Sequence, residues 1–209
     1  ASKGELIAFL DDDDFWDRDK LEKQVRVIAD LDDSWGGVSC LNKIYKGGKL
    51  IRLQQGYKSG KLYKKLLMRR VEVSTDTILL RRKALFDAGL FDENLLRHQE
   101  VQLLTNFTYK YKLFLLNEYL VNVDIDDTNN RPDPEKLRNV KRLYLQSVKD
   151  VISSLPVRTQ KDIELMNRVL AGKASKKEIS IFNEMKKNRE KEFMKIKDEE
   201  LFKVYDFKG

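Results

Sequence analysis

Directly after the apolar run from Glu5 to Leu10, the chain places four carboxylates side by side, Asp11 to Asp14. Adjacent carboxylates repel one another unless a cation or open solvent compensates. Hard oxygen ligands at a strand end suit Mg2+ or Mn2+, which need only one or two protein carboxylates when phosphates complete the shell. Taken alone, the same residues also fit a solvated acidic loop that caps the next helix. A calcium-binding loop is excluded: Asp11, Asp13 and Glu22 match its positions 1, 3 and 12, but Trp16 stands where its glycine must be. A second acid, Glu100, opens a predicted helix on the same face as Leu103, Leu104 and Phe107. It is either an inward-facing base or a first-turn acid favoured by the helix dipole by about 0.3–1 kcal/mol. His98, the single histidine, and Cys40, the single cysteine, cannot build a zinc site or an internal disulfide, so any metal is held by oxygen.

These groups need elements to hold them. The run from Glu5 to Leu10 lacks alternation, which predicts a central parallel strand covered on both faces. Asp19-Lys20-Leu21-Glu22 fits a capping box, and Leu21, Val25 and Ile28 space as the apolar stripe of the following helix. Residues 37–45 and 49–53 flank Lys46-Gly47-Gly48 as a hairpin. A short helix over 61–68, a buried strand over 73–80 and a helical turn over 82–88 stopped by Gly89 come next. An amphipathic helix over 97–111 precedes strand-like segments at 112–116 and 119–124. Strands alternating with helices give an α/β sandwich with a mixed, mainly parallel sheet.

From Asp133 the pattern becomes helical. Asp133-Pro134-Glu135 combines an N-cap, a proline at the first helical position and a first-turn acid. Further helices are predicted from about Thr159 to Ala171 and from a capping box at Ser175 to Glu178. The division predicted is 1–132 for the α/β domain and 133–209 for a basic helical extension. Charge supports that division: residues 135–209 hold nineteen Lys/Arg against twelve Asp/Glu, whereas residues 1–134 hold twenty-two of each. The net charge of +7 is thus local to the extension. Its positive residues are interleaved with acids and lack an aromatic-rich basic sheet, which argues against nucleic-acid binding. No apolar run reaches the length of a membrane span. Lys186, Lys187, Arg189, Lys191 and Lys195 would nonetheless suit a peripheral contact with anionic lipid.

The segment from Gly4 to Trp16, with Asp11 to Asp14 at its centre, followed by Lys20-Leu-Glu-Lys-Gln24, resembles the DxD region of family-2 glycosyltransferases. The segment from Leu79 to Leu95, followed by Gln99 and Glu100, resembles that family's approach to its acceptor site. The two ordered motifs cover roughly residues 2–130. The resemblance implies a GT-A-like fold and an inverting transferase using a nucleotide-diphosphate sugar donor, Mn2+ or Mg2+, and a saccharide or glycolipid acceptor. It implies Asp13 and Asp11 as metal ligands, Asp11, Asp12 and Asp13 as the donor-binding run, and Asp14 as support for the loop. Phe15 and Trp16 either wall the site or pack the loop.

Glu100 takes the position of the catalytic base, where the family usually has aspartate. Many members carry a metal-binding histidine after the last core strand; Asp124, Asp126 and Asp127 stand there instead. The family's opening strands, which hold the nucleobase, have no counterpart, so the chain is expected to be a fragment with the metal half of the site. The resemblance places it in polysaccharide or glycolipid synthesis in the cytoplasm, with the extension at the inner face of the membrane. The alternative from another class is a non-catalytic relative acting as an interaction or membrane-docking module.

Overall fold

The structure is a computed structural model describing residues 2–125, 134–170 and 172–196, the backbone alone being described at 134–138, 186 and 188–196. The predicted cap at Asp133, the substitute ligands Asp126 and Asp127, and the side chains of Lys186, Arg189, Lys191 and Lys195 therefore lie outside the described residues. The chain forms two compact units, Ala1–Ser154 and Leu155–Gly209.

In the first unit the order is β1 (Leu6–Ala8), β2 (Asp14–Trp16), α1 (Lys20–Ala29), β3 (Trp35–Lys46) and β4 (Lys49–Leu53). Next come α2 (Tyr63–Leu67), a 3₁₀ turn (Thr75–Thr77), β5 (Ile78–Arg81), α3 (Arg82–Ala88), α4 (Gln99–Lys110) and β6 (Lys112–Asp124). Helices α5 (Pro134–Ser147) and α6 (Lys149–Ser153) close that unit, and α7 (Val157–Leu170) and α8 (Lys176–Ile196) form the second. In α8 the predicted capping box is realised: Glu178 N–H donates to Ser175 Oγ at 3.3 Å, and Ser175 N–H donates to Glu178 Oε2 at 2.8 Å.

The sheet runs β1-β5-β3-β6-β2, with β4 attached to β3. Helices cover both faces. One face buries Leu41, Ile78, Leu80, Leu103, Leu104 and Phe107, and the other buries Val27, Ile28, Val38, Cys40 and Val121. Phe107 of α4 comes so close to β3 that a Cβ on Gly36 would stand 2.5 Å from its ring, which fixes why glycine is there. The expected α/β architecture with a mixed sheet is found, but two parts of the expectation need correction. Only β3 with β6 is parallel among the named strands, and the other four pairings are antiparallel. Strand–helix alternation predicts parallel neighbours only when each helix returns the chain in the same sense; here the β3–β4 hairpin and the reversed β5 break that rule. And β1 is a half-buried edge strand paired with β5 alone, not a central one. The apolar run signals contact with a core, not strand position.

Candidate metal and acceptor site

The aspartates lie in the link between the sheet's two edge strands, β1 and β2, where the 3₁₀ turn enters β5. The link is tied to that turn: Asp11 N–H donates to Asp76 Oδ1 at 3.2 Å, and Ser74 Oγ donates to Asp76 Oδ2 at 2.6 Å. Carboxylate oxygens of Asp11, Asp14 and Asp76 consequently fall within 4.8 Å of one another. Asp14 and Asp76 are buried, and Asp11 faces solvent. No described residue forms an ion pair with any of the three.

Such crowding has an electrostatic cost. Burial, then repulsion from Asp76 and a shared hydrogen bond with it, push the Asp14 carboxyl up to about 7. Burial and then the charges of Asp76, Asp13, Asp12 and Glu100 raise Asp11. Negative charge is therefore in excess, and the donors are all hard oxygens, which fits a small divalent cation. Asp13 and Asp12 are exposed and stand outside the triad, though both act on Asp11 through their charge. Phe15 points into solvent at 67% exposure, while Trp16 packs against the α1 side of the sheet.

Glu100 opens α4, half-buried, above Leu103, Leu104 and Phe107, which are fully buried. The packing of Phe107 on Gly36 anchors α4, so the first turn is held at a fixed place relative to β3. The charge of Glu100 acts on Asp11, as the weakest of the influences that raise its carboxyl. His98 precedes α4 in a left-handed conformation, φ 66°, with its ring edge-on to Tyr144 at 5.8 Å.

Sequence reasoning missed two parts of this arrangement. Asp76 was hidden in a segment read as buried strand; the signal was the polar run Ser74-Thr75-Asp76-Thr77 inside it. The buried face of α1 was also misread. Lys20, Gln24, Val27 and Ile28 face inward, and Leu21 and Val25 are exposed. Lys20 has no exposed surface, and its Nζ donates to Gln24 Oε1 at 3.0 Å while lying 3.9 Å from the centre of the Trp16 ring. Gln24 Nε2 in turn donates to Thr77 O at 2.8 Å and Val38 O at 3.3 Å. A lysine and a glutamine thus pin the turn that carries Asp76, and Lys20 feels the charge of Asp76. The predicted capping box at Asp19 is not formed, because the Asp19 carboxylate pairs with Lys23 at 2.6 Å instead.

Similarity to known proteins is found in sequence and in fold. Residues 1–90 match the sequence profile described as glycosyl transferase family 2. The fold is similar to S. aureus TarS 1–349 in complex with UDP-GlcNAc, with TM-score 0.54, 16% identity, and coverage of 70% of this chain and 43% of that one. It is also similar to S. aureus TarS 1–349 in complex with UDP, with TM-score 0.50, 16% identity, and coverage of 70% and 41%. No curated protein matches the chain. The chain spans less than half the length of these solved structures, and at this identity they establish a shared fold. That fold is a GT-A-type α/β sandwich, and the profile match covers β1, the aspartate run, Asp76 and α3. The sequence likeness to glycosyl transferase family 2 thus lies in residues 1–90, and the likeness of fold extends beyond it.

Proposed function

We propose that the chain forms the metal- and acceptor-binding part of an inverting glycosyltransferase that uses a nucleotide-diphosphate sugar. The observation that carries this reading is the position of Asp11, coupled to Asp76 on one hand and to Glu100 on the other. Metal ligands and a base must flank one reacting centre, and a base whose charge acts on Asp11 supports that arrangement. The sequence motif proposes Asp11 and Asp13 as ligands for Mn2+ or Mg2+, and the geometry adds Asp14 and Asp76. When bound, the cation neutralises charge on the departing diphosphate. Asp12, exposed beside them, belongs to the donor-facing run. The UDP and UDP-GlcNAc held by the TarS structures support a uridine-diphosphate sugar as donor.

Glu100 accepts the proton of the acceptor hydroxyl as that oxygen bonds to the anomeric carbon. The bond to the diphosphate breaks on the opposite face, so configuration inverts. The acceptor is a saccharide or glycolipid, and the reaction serves polysaccharide synthesis on the cytoplasmic side of a membrane. No described helix is long and apolar enough to cross one. Residues 1–132 carry the transferase part and 133–209 its basic extension.

The test is transfer from UDP-sugar to saccharide acceptors by the protein that carries this chain, with and without Glu100→Gln. Loss of the base should lower kcat about 100- to 10,000-fold with donor KM nearly unchanged. Full activity in the variant would remove Glu100 from the mechanism.

A further inference from the structure

A second charged cluster, this one cationic, surrounds the start of α4 beside Glu100. Lys141 of α5 is only 7% exposed, yet among the described residues it has no ion-pair partner. One helical turn later on α5, the buried Tyr144 places its ring edge-on against His98, so this stretch of α5 packs at the start of α4. Arg69, Lys141 and Arg97 all act on His98 through their charge, and so does Glu100. Burial, and then repulsion from Arg69, pushes the Lys141 ammonium down to about 8. Among the described residues, Arg69 and Lys141 form no ion pair with Glu100, so the cluster is not simply its counterion.

Backbone strain and an unmet hydrogen bond fall on residues of this cluster. Arg69 and His98, with φ of 49° and 66°, are the two non-glycine residues with positive φ among those described. His98 Nε2 is buried without a hydrogen-bond partner. No side chain caps the α4 N-terminus. A buried unpaired ammonium, left-handed non-glycine residues and an orphaned ring nitrogen each work against stability. One bound anion would give both Lys141 and His98 Nε2 a partner. Donors arriving from three separate elements suit the tetrahedral oxygens of a phosphate better than a planar carboxylate.

We propose that Lys141, Arg69 and His98 form a subsite for a phosphate group carried by the acceptor, seated beside Glu100. The proposal rests on Glu100 marking the acceptor side, but the subsite can be tested without sugar transfer. Calorimetric titration of the protein with glycerol 3-phosphate, and with glycerol as the uncharged comparison, reads it directly in the absence of metal. Glycerol 3-phosphate should bind and glycerol should not. Lys141→Met and Arg69→Gln should each weaken binding about tenfold or more. Lys141→Met should keep or raise Tm, because it removes a buried unpaired charge; a residue kept for structure alone would lower it.

The proposal is overturned if glycerol 3-phosphate does not bind, or if both variants bind it as the wild type does. It is also overturned if the variants weaken UDP with Mn2+ instead, which would assign the cations to the donor. Phosphate binding that survives while Glu100→Gln still transfers sugar would uphold the subsite and sink the base assignment, keeping the two failures apart.

Discussion

The carboxylates of Asp76 and Asp14 stand together in a buried place where no described residue forms an ion pair with either. The Asp14 carboxyl is shifted from 3.8 to about 7, so the folded state holds its proton more tightly than the unfolded chain. Folded-state stability from this group is complete below pH about 4 and is lost as pH rises through about 7. Urea midpoints for the metal-free protein should accordingly fall between pH 5 and 8. Asp14→Asn should flatten that slope, and an unchanged slope would contradict the shared proton. Saturating Mn2+ should restore stability at pH 8, because only the ionised carboxylates bind it. The aspartate run was legible because four adjacent acids are costly in any setting. Asp76 was not, because its place in the site depends on a contact spanning 65 residues, and nothing local in Ser74 to Thr77 reveals where the chain returns.

At the scale of elements, two similar capping signatures ended differently. Ser175 and Glu178 exchange the expected hydrogen bonds, so Ser175→Ala should destabilise α8 by about 1 kcal/mol. Helicity lost on that substitution can be followed by circular dichroism. Asp19→Ala should barely shift the urea midpoint, since its side chain caps nothing and pairs only with exposed Lys23. The spacing of a motif records what is possible; competition from a nearby ammonium decides what forms. Helix α1 teaches the same lesson through burial. Leu21 and Val25 have the hydropathy of a core stripe, yet the inward face carries Lys20 and Gln24, because the polar 3₁₀ turn beneath needs donors. Gln24→Ala would leave Thr77 O and Val38 O without that amide and should cost about 1–3 kcal/mol. It should also weaken Mn2+ binding by loosening the turn that holds Asp76, whereas an equal loss of stability at Val27 would not.

Across the whole molecule, the sheet arrangement explains why distant segments meet. The aspartate link joins two edge strands, β5 brings Asp76 to it, and α4, anchored by Phe107 on Gly36, carries Glu100, whose charge acts on Asp11. The α/β class and most helices were readable from periodicity. The order and sense of strands were not, since edge and central strands share an apolar composition when both touch a core. In the proposed reading, Asp76 completes a divalent-metal site begun by the aspartate run. Mn2+ titration followed by electron paramagnetic resonance tests it most directly, comparing wild type with Asp11→Asn and Asp76→Asn. One Mn2+ site is expected in the wild type, with a loss of affinity of about tenfold or more in each variant. Wild-type binding that is indifferent to Asp76→Asn would contradict it.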